Sequence, residues 1–154
     1  MAEVLFYHLE HQSLEQVLPT LLERTLERGW RAVVQAGSAE RVDALDMQLW
    51  TYREESFLPH GTAKDGAAAD HPVWLTTESD NPNGAAVRFL VDGAALGAIG
   101  SGALGGYERI VVLFDGGDPT AVEQARAAWK DAKAAGGACT YWQQSSTGRW
   151  EKKA

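Results

Sequence analysis

Apolar and polar positions along this chain follow two rhythms, and the changes between them outline its elements. Glu3–His8 holds the run Val4-Leu5-Phe6-Tyr7 and predicts a first strand. Leu14, Val17, Leu18, Leu21, Leu22 and Leu26 then recur at helical spacing across 13–28. Ser13 and Gln16 stand three apart, as in a capping box, and Gly29 stands where a C-cap glycine ends a helix. Pro19 interrupts the pattern: either it kinks the helix or the regular part begins near Leu18. Arg31–Gln35 predicts a second strand, and Gly37-Ser38 opens a second helix with Val42, Leu45 and Leu49 on one face. Residues 51–72 show no period and read as a long connection. Val73–Thr76 predicts a third strand, Asn81-Pro82-Asn83-Gly84 a turn and Ala86–Val91 a fourth strand. Residues 92–106, rich in Gly and Ala, fit neither rhythm.

The unbroken run Ile110-Val111-Val112-Leu113-Phe114 inside Arg109–Phe114 is the pattern of a strand buried on both faces. Asp118-Pro119 follows as an N-cap with proline at the first helical position, and the helix continues to Ala135, where Gly136-Gly137 stops it. Cys139–Gln143 predicts a last strand and Ser145–Ala154 a polar tail. Strands that alternate with helices imply an α/β protein with a mostly parallel sheet and helices on both faces. The expected organisation is one domain over 1–144 and a basic tail over 145–154.

Composition narrows the classes. A chain of 154 residues, 45% apolar and with six tryptophans, has the length of one domain and the means to build a core. No stretch reaches the roughly 18 apolar residues of a membrane span. The first residues carry neither a basic segment nor a small-residue cleavage site, so no signal peptide is expected. Cys139, the one cysteine, has no internal disulfide partner, and a cytoplasmic location is the expectation. The formal net charge of -7 argues against nucleic-acid binding by the whole surface. Its distribution is uneven. Residues 121–154 carry Arg126, Lys130, Lys133, Arg149, Lys152 and Lys153 against Glu123, Asp131 and Glu151, so an acidic body bears a basic end suited to an acidic partner.

Several motifs carry candidate chemistry. Gly100-Ser101-Gly102-Ala103-Leu104-Gly105 spells a dinucleotide-binding loop, but it leads to Tyr107 and a strand, whereas the pyrophosphate needs a helix N-terminus there. No P-loop is present. His8 and His11 lack further ligands at metal-site spacing, and His60 and His71 stand apart as surface or structural residues. Asp115 and Asp118 follow the strongest strand, where α/β enzymes place carboxylates, yet one reads as a turn residue and the other as a helix cap. No catalytic residue, metal or cofactor is expected. The competing reading is a nucleotide-binding protein or small enzyme that uses the 100–105 loop with Asp115 and Asp118.

The helix over 118–135 is the most informative element. Ala125, Ala128, Ala132 and Ala135 make a narrow seam that lets it lie close on a sheet, and the next face presents Arg126, Trp129, Lys130 and Lys133 at i, i+3, i+4 and i+7. A guanidinium grips a carboxylate through two hydrogen bonds, while an indole adds apolar contact, a pairing that suits an acidic peptide ending in an aromatic residue. The alternative for the same spacing is a core tryptophan beside solvated cations.

These segments resemble a known family. Phe6-Tyr7-His8-Leu9, Leu45-Asp46 with Leu49-Trp50, the block Glu55-Ser56-Phe57-Leu58-Pro59-His60, and Gln124-Ala125-Arg126-Ala127-Ala128-Trp129-Lys130 are similar to segments of the chi subunits of bacterial DNA polymerase III. The resemblance covers 3–60 and 107–144 and implies a single-domain, Rossmann-like three-layer sandwich without a nucleotide site. It implies a non-catalytic adaptor that joins the clamp loader through a psi subunit or its equivalent, holds the acidic C-terminal tail of the single-stranded-DNA-binding protein, and meets DNA only indirectly. Position by position, the tail-binding residues would be Arg126, Trp129 and Lys130, with Phe57 lining the same region. Val122 stands where the family can place a lysine, so the tail site is either less basic or draws on Lys133 or the C-terminal lysines.

Overall fold

The computed structural model describes residues 3–51, 58–94, 106–147 and 149–154, so Phe57 and the 100–105 loop lie outside the described residues. Among those described, the strands are β1 (Glu3–Leu9), β2 (Ala32–Gln35), β3 (Gly61–Thr62), β4 (Val73–Thr76), β5 (Val87–Leu90), β6 (Arg109–Asp115), β7 (Ala138–Gln144) and β8 (Trp150–Lys152). The helices are α1 (Leu14–Glu27), α2 (Ala39–Thr51) and α3 (Pro119–Ala134). The strands form one sheet in the order β3-β4-β2-β5-β6-β1-β7-β8, parallel except for β8, which runs antiparallel to β7.

This order explains the two covered faces. The chain moves one way across the sheet from β1 through α1 to β2 and on through α2 to β4, and the opposite way from β6 through α3 to β7. Parallel crossovers keep one hand, so opposite travel puts the helices on opposite faces. Val17, Leu18 and Leu22 of α1 and Leu45 and Leu49 of α2 pack with Val34, Val111 and Leu113 on one side. Ala125, Ala128 and Ala132 of α3 pack with Val4, Phe6, Ile110 and Val112 on the other. Each fully buried leucine, valine or phenylalanine in these layers contributes about 1.5–3 kcal/mol.

Pro19 sits inside α1, which begins at Leu14 rather than near Leu18. Proline leaves the carbonyl of Glu15 without its helical donor. Gln48 of α2 supplies one, its Nε2 donating to that carbonyl at 2.8 Å, and so ties the two helices together. Gln16 Oε1 accepts from the Ser13 backbone N–H at 2.8 Å, as the capping pattern requires. Gly29 ends the helix with φ at 79°, a left-handed conformation that costs a residue without Cβ little.

Two segments carry more structure than their sequences express. The connection over 51–72 contains β3 and a 3₁₀ turn at Ala68–Asp70. The segment read as a polar tail turns back at Ser145, whose N–H donates to Arg149 carbonyl oxygen at 2.8 Å, and pairs as β8 with Gln144 opposite Trp150 and Trp142 opposite Lys152. Strands of two and three residues are too short to display an alternation, which is why neither is readable as one.

Candidate functional site

Helix α3 is held at both ends by its own sequence. Asp118 accepts hydrogen bonds from the N–H groups of Thr120 at 3.0 Å and Ala121 at 3.4 Å, with Pro119 at the first helical position. Ala125, Ala128 and Ala132 are buried, so the backbone lies close to β6, β1 and β7, and rotation of the helix about its axis is set by that seam. The seam leaves Arg126, Lys130 and Lys133 exposed.

Trp129 is half-buried and packs against the apolar layer beneath α3. Phe6 meets it edge-on at 5.4 Å and Tyr141 of β7 at 6.1 Å, while the Lys133 ammonium lies 5.0 Å from its ring centre, within cation–π reach. Val122, packed against the same apolar layer, adds no charge. The described stripe therefore unites Arg126, Trp129, Lys130 and Lys133 on one surface.

Sequence reading missed the floor of this surface. Tyr141 and His8 share a hydrogen bond of 2.6 Å between the phenol and Nδ1, and His8 rests 5.1 Å from Phe114. A Cβ at Gly116 would overlap the His8 imidazole, so the glycine after Asp115 is what leaves room for the ring. Burial pushes the Tyr141 phenol up, the Arg126 charge pulls it down, and Glu10 adds to the rise; the net direction is up. The Arg126 charge thus reaches the Tyr141 phenol across the gap between α3 and β7. Burial likewise raises the Cys139 thiol against the pull of Lys133. The signal available beforehand was the strand rhythm itself: alternate residues of β1 and β7, Phe6 with His8 and Cys139 with Tyr141, point to the face that α3 covers.

A phenol kept protonated in the folded state implies a particular pH response. Above the ordinary tyrosine value of 10.0, the folded state holds this proton more tightly than the unfolded one, so the phenol's contribution to stability is level below that value and falls as pH rises beyond it. Tyr7, raised mainly by burial, acts in the same sense. The thermal midpoint is expected to decline above this value, and Tyr141→Phe to decline less steeply; equal slopes in the two proteins would assign the effect elsewhere.

The larger of the two described clefts, about 710 Å³, lies at the carboxyl ends of β1, β5 and β6, where α/β folds commonly bind ligands. Its charged lining is Glu10, Glu15, Asp92, Asp115 and Asp118 with Arg41. Arg41 is already shared, its Nη2 standing 2.8 Å from both Glu15 Oε1 and Asp92 Oδ2. Burial pushes the Glu15 carboxyl up, but its backbone hydrogen bond, Arg41 and Ser13 outweigh it and hold the group low. Asp115 accepts from the Gly117 N–H at 2.8 Å and Asp118 caps α3, so both carboxylates have the turn and cap roles that their sequence context implied. A phosphate entering this cleft would meet five carboxylates. ATP or NAD at millimolar concentration is accordingly expected to leave the melting temperature unchanged; a rise of several degrees would restore the nucleotide reading.

His60 is buried between Leu58, whose carbonyl lies 2.7 Å from Nδ1, and Asp46, whose Oδ1 lies 3.0 Å from Nε2, with Trp50 over its ring at 4.6 Å. It fastens the end of α2 to the following segment. Among the described residues no group of three or more His, Cys, Asp or Glu could hold a metal, and no helix is long and apolar enough to cross a membrane.

Fold and site together define the class: an α/β domain of Rossmann-like outline, with capped carboxylates at its strand ends and its cationic–aromatic surface on the outside of the last helix. The model of the family DNA polymerase III chi subunit, HolC, matches residues 1–140, and the chain belongs to that family. A Rickettsia prowazekii (strain Madrid E) protein described as a probable DNA polymerase III subunit chi is 28% identical over 91 residues. That alignment takes in 59% of this chain and 55% of the relative, so the chain matches about half the length of its curated relative. The family places it among DNA polymerase III subunits and in DNA replication.

Proposed function

We propose that the chain is a non-catalytic adaptor of the replication polymerase, cytoplasmic in location, which holds the acidic C-terminal tail of the single-stranded-DNA-binding protein on α3. A psi subunit or an equivalent clamp-loader component is its second partner. One observation carries the reading: three cations stand exposed around a tryptophan that the core holds in place. Arg126 pairs with the terminal carboxylate, Trp129 offers an apolar edge to the aromatic side chain beside it, and Lys130 and Lys133 attract the acidic residues upstream. A rooted aromatic loses little freedom on binding, which favours affinity at a small site.

Calorimetry with a short acidic peptide ending in phenylalanine tests this directly. The free-acid peptide is expected to bind and its C-terminal amide to bind far more weakly. Affinity is expected to fall as salt rises, because ions screen exposed pairs. Equal binding of acid and amide, or affinity unchanged from low to high salt, would mean that the contact is apolar and that the stripe is not a carboxylate site.

A further inference from the structure

The second cleft, about 330 Å³, opens on the face of the sheet opposite α3, between α1 and β7. It gathers residues from distant parts of the chain: Arg24 in the last turn of α1 and Arg28 at its C-cap, Arg109 at the start of β6, Tyr7 of β1 and Trp142 of β7. The only carboxylate in its lining is Glu3, which lies 3.4 Å from Arg109 Nε. Strand β8 enlarges the same surface. Residues opposite one another on paired strands share a face, so Lys152 stands beside Trp142, and Trp150 meets Tyr7 edge-on at 4.9 Å. Among the described lining residues, three arginines and the partly exposed rings of Tyr7 and Trp142 thus face one carboxylate, with Trp150 and Lys152 beside them, on a protein whose formal net charge is -7. The guanidinium groups of Arg28 and Arg109 lie 5.4 and 5.3 Å from the ring centre of Trp30, which orients both. The fields of Arg109 and Arg24 also reach the Tyr7 phenol, opposing the burial that raises it. Trp142, Trp150 and Lys152 lie beyond the residues that the family model matches.

We infer that this cleft is a short site for single-stranded nucleic acid. Guanidinium forks suit phosphates, and the partly exposed indole rings of Trp142 and Trp150 give bases a surface to stack on without regard to sequence, the combination found in single-strand grooves. An acidic peptide with one terminal aromatic residue would occupy a single ring beside the arginines, whereas successive bases can use both indoles. The acidic body around the cleft confines contact to about three phosphates, which makes the site weak and strongly salt-dependent. It is separate from the α3 stripe, so a strand and an acidic tail can be held together on opposite faces.

The test is fluorescence anisotropy of a labelled oligo-thymidylate of about twelve nucleotides with the whole chain, at roughly 20 to 200 mM salt, with tryptophan emission followed in parallel. Saturable binding with tryptophan quenching is expected, and a slope of log affinity against log salt of about −2. The double variant Arg24→Ala/Arg28→Ala, folded by circular dichroism, is expected to bind about tenfold or more weakly with a shallower slope. Trp150→Ala should lose part of the quenching, whereas Arg126→Ala should bind the strand normally, which separates this site from α3. No saturable binding at the lowest salt, or undiminished binding by the double variant, would overturn the inference. It is equally overturned if the double variant loses only the binding of an amidated acidic peptide, since the cleft would then be a protein-docking site.

Discussion

Arg126→Ala is expected to weaken binding of an acidic, phenylalanine-ended peptide by roughly thirty-fold to several-hundred-fold while the protein stays folded. The stability half of this result follows from the helix seam: Ala125 and Ala128 are buried on either side of Arg126 in sequence, whereas Arg126 itself is exposed. The binding half follows from geometry that only a guanidinium supplies, two parallel donors to one carboxylate. Partial exposure to water pulls the loss toward the lower end. Arg126→Lys is expected to restore only part, since an ammonium lacks the planar fork. Lys64→Ala is the control. Its exposed pair with Asp43, 3.1 Å apart, is of a kind that contributes little to stability, and it should leave binding unaffected. Peptide calorimetry beside a denaturation curve separates the outcomes. An unfolded Arg126→Ala would show a structural residue, and wild-type affinity in a folded variant would move the tail site away from α3.

Phe6→Ala should have the largest effect on stability, about 3–5 kcal/mol. Phe6 is fully buried on β1 beneath α3, and removing its ring leaves a void against Trp129 and the alanine seam. Alanine cannot fill that space, and the seam cannot collapse into it without drawing the helix away from β7. Against a total stability of about 5–15 kcal/mol, this loss is a large fraction. Urea denaturation measures it, with the midpoint falling and the slope retained. Phe6→Leu keeps more of the volume and should cost less than Phe6→Ala. Because Phe6 also steadies Trp129, the folded Phe6→Leu protein should bind the acidic peptide more weakly than wild type. A loss near 1 kcal/mol in Phe6→Ala would mean that α3 settles into the void and is less firmly placed than its seam implies.

Much of this molecule is local in origin and therefore legible along the chain. The run Ile110–Phe114 makes a strand wherever it is buried, Asp118-Pro119 starts a helix and Gly29 ends one, since caps and periods act over a few residues. The spacing of Arg126, Trp129, Lys130 and Lys133 is of the same kind: four positions on one helix form a stripe before anything packs against them. Phe57, by contrast, was reachable only through resemblance, and it lies outside the described residues.

Other features exist only once distant segments meet. Gln48 repairs the gap left by Pro19, and Tyr141 reaches His8 across 133 positions of sequence, because strand order brings them together and no local period encodes that order. Strand β8 depends on a partner edge for its hydrogen bonds, so a three-residue segment with one apolar side chain reads as a tail until β7 stands beside it. The arginines and rings in and beside the second cleft come from α1 and its C-cap, β1, β6, β7 and β8, each unremarkable in its own stretch. Short-range rules act through the backbone and set the elements. Which faces those elements show one another depends on burying one shared apolar surface, and that is a property of the assembled sheet.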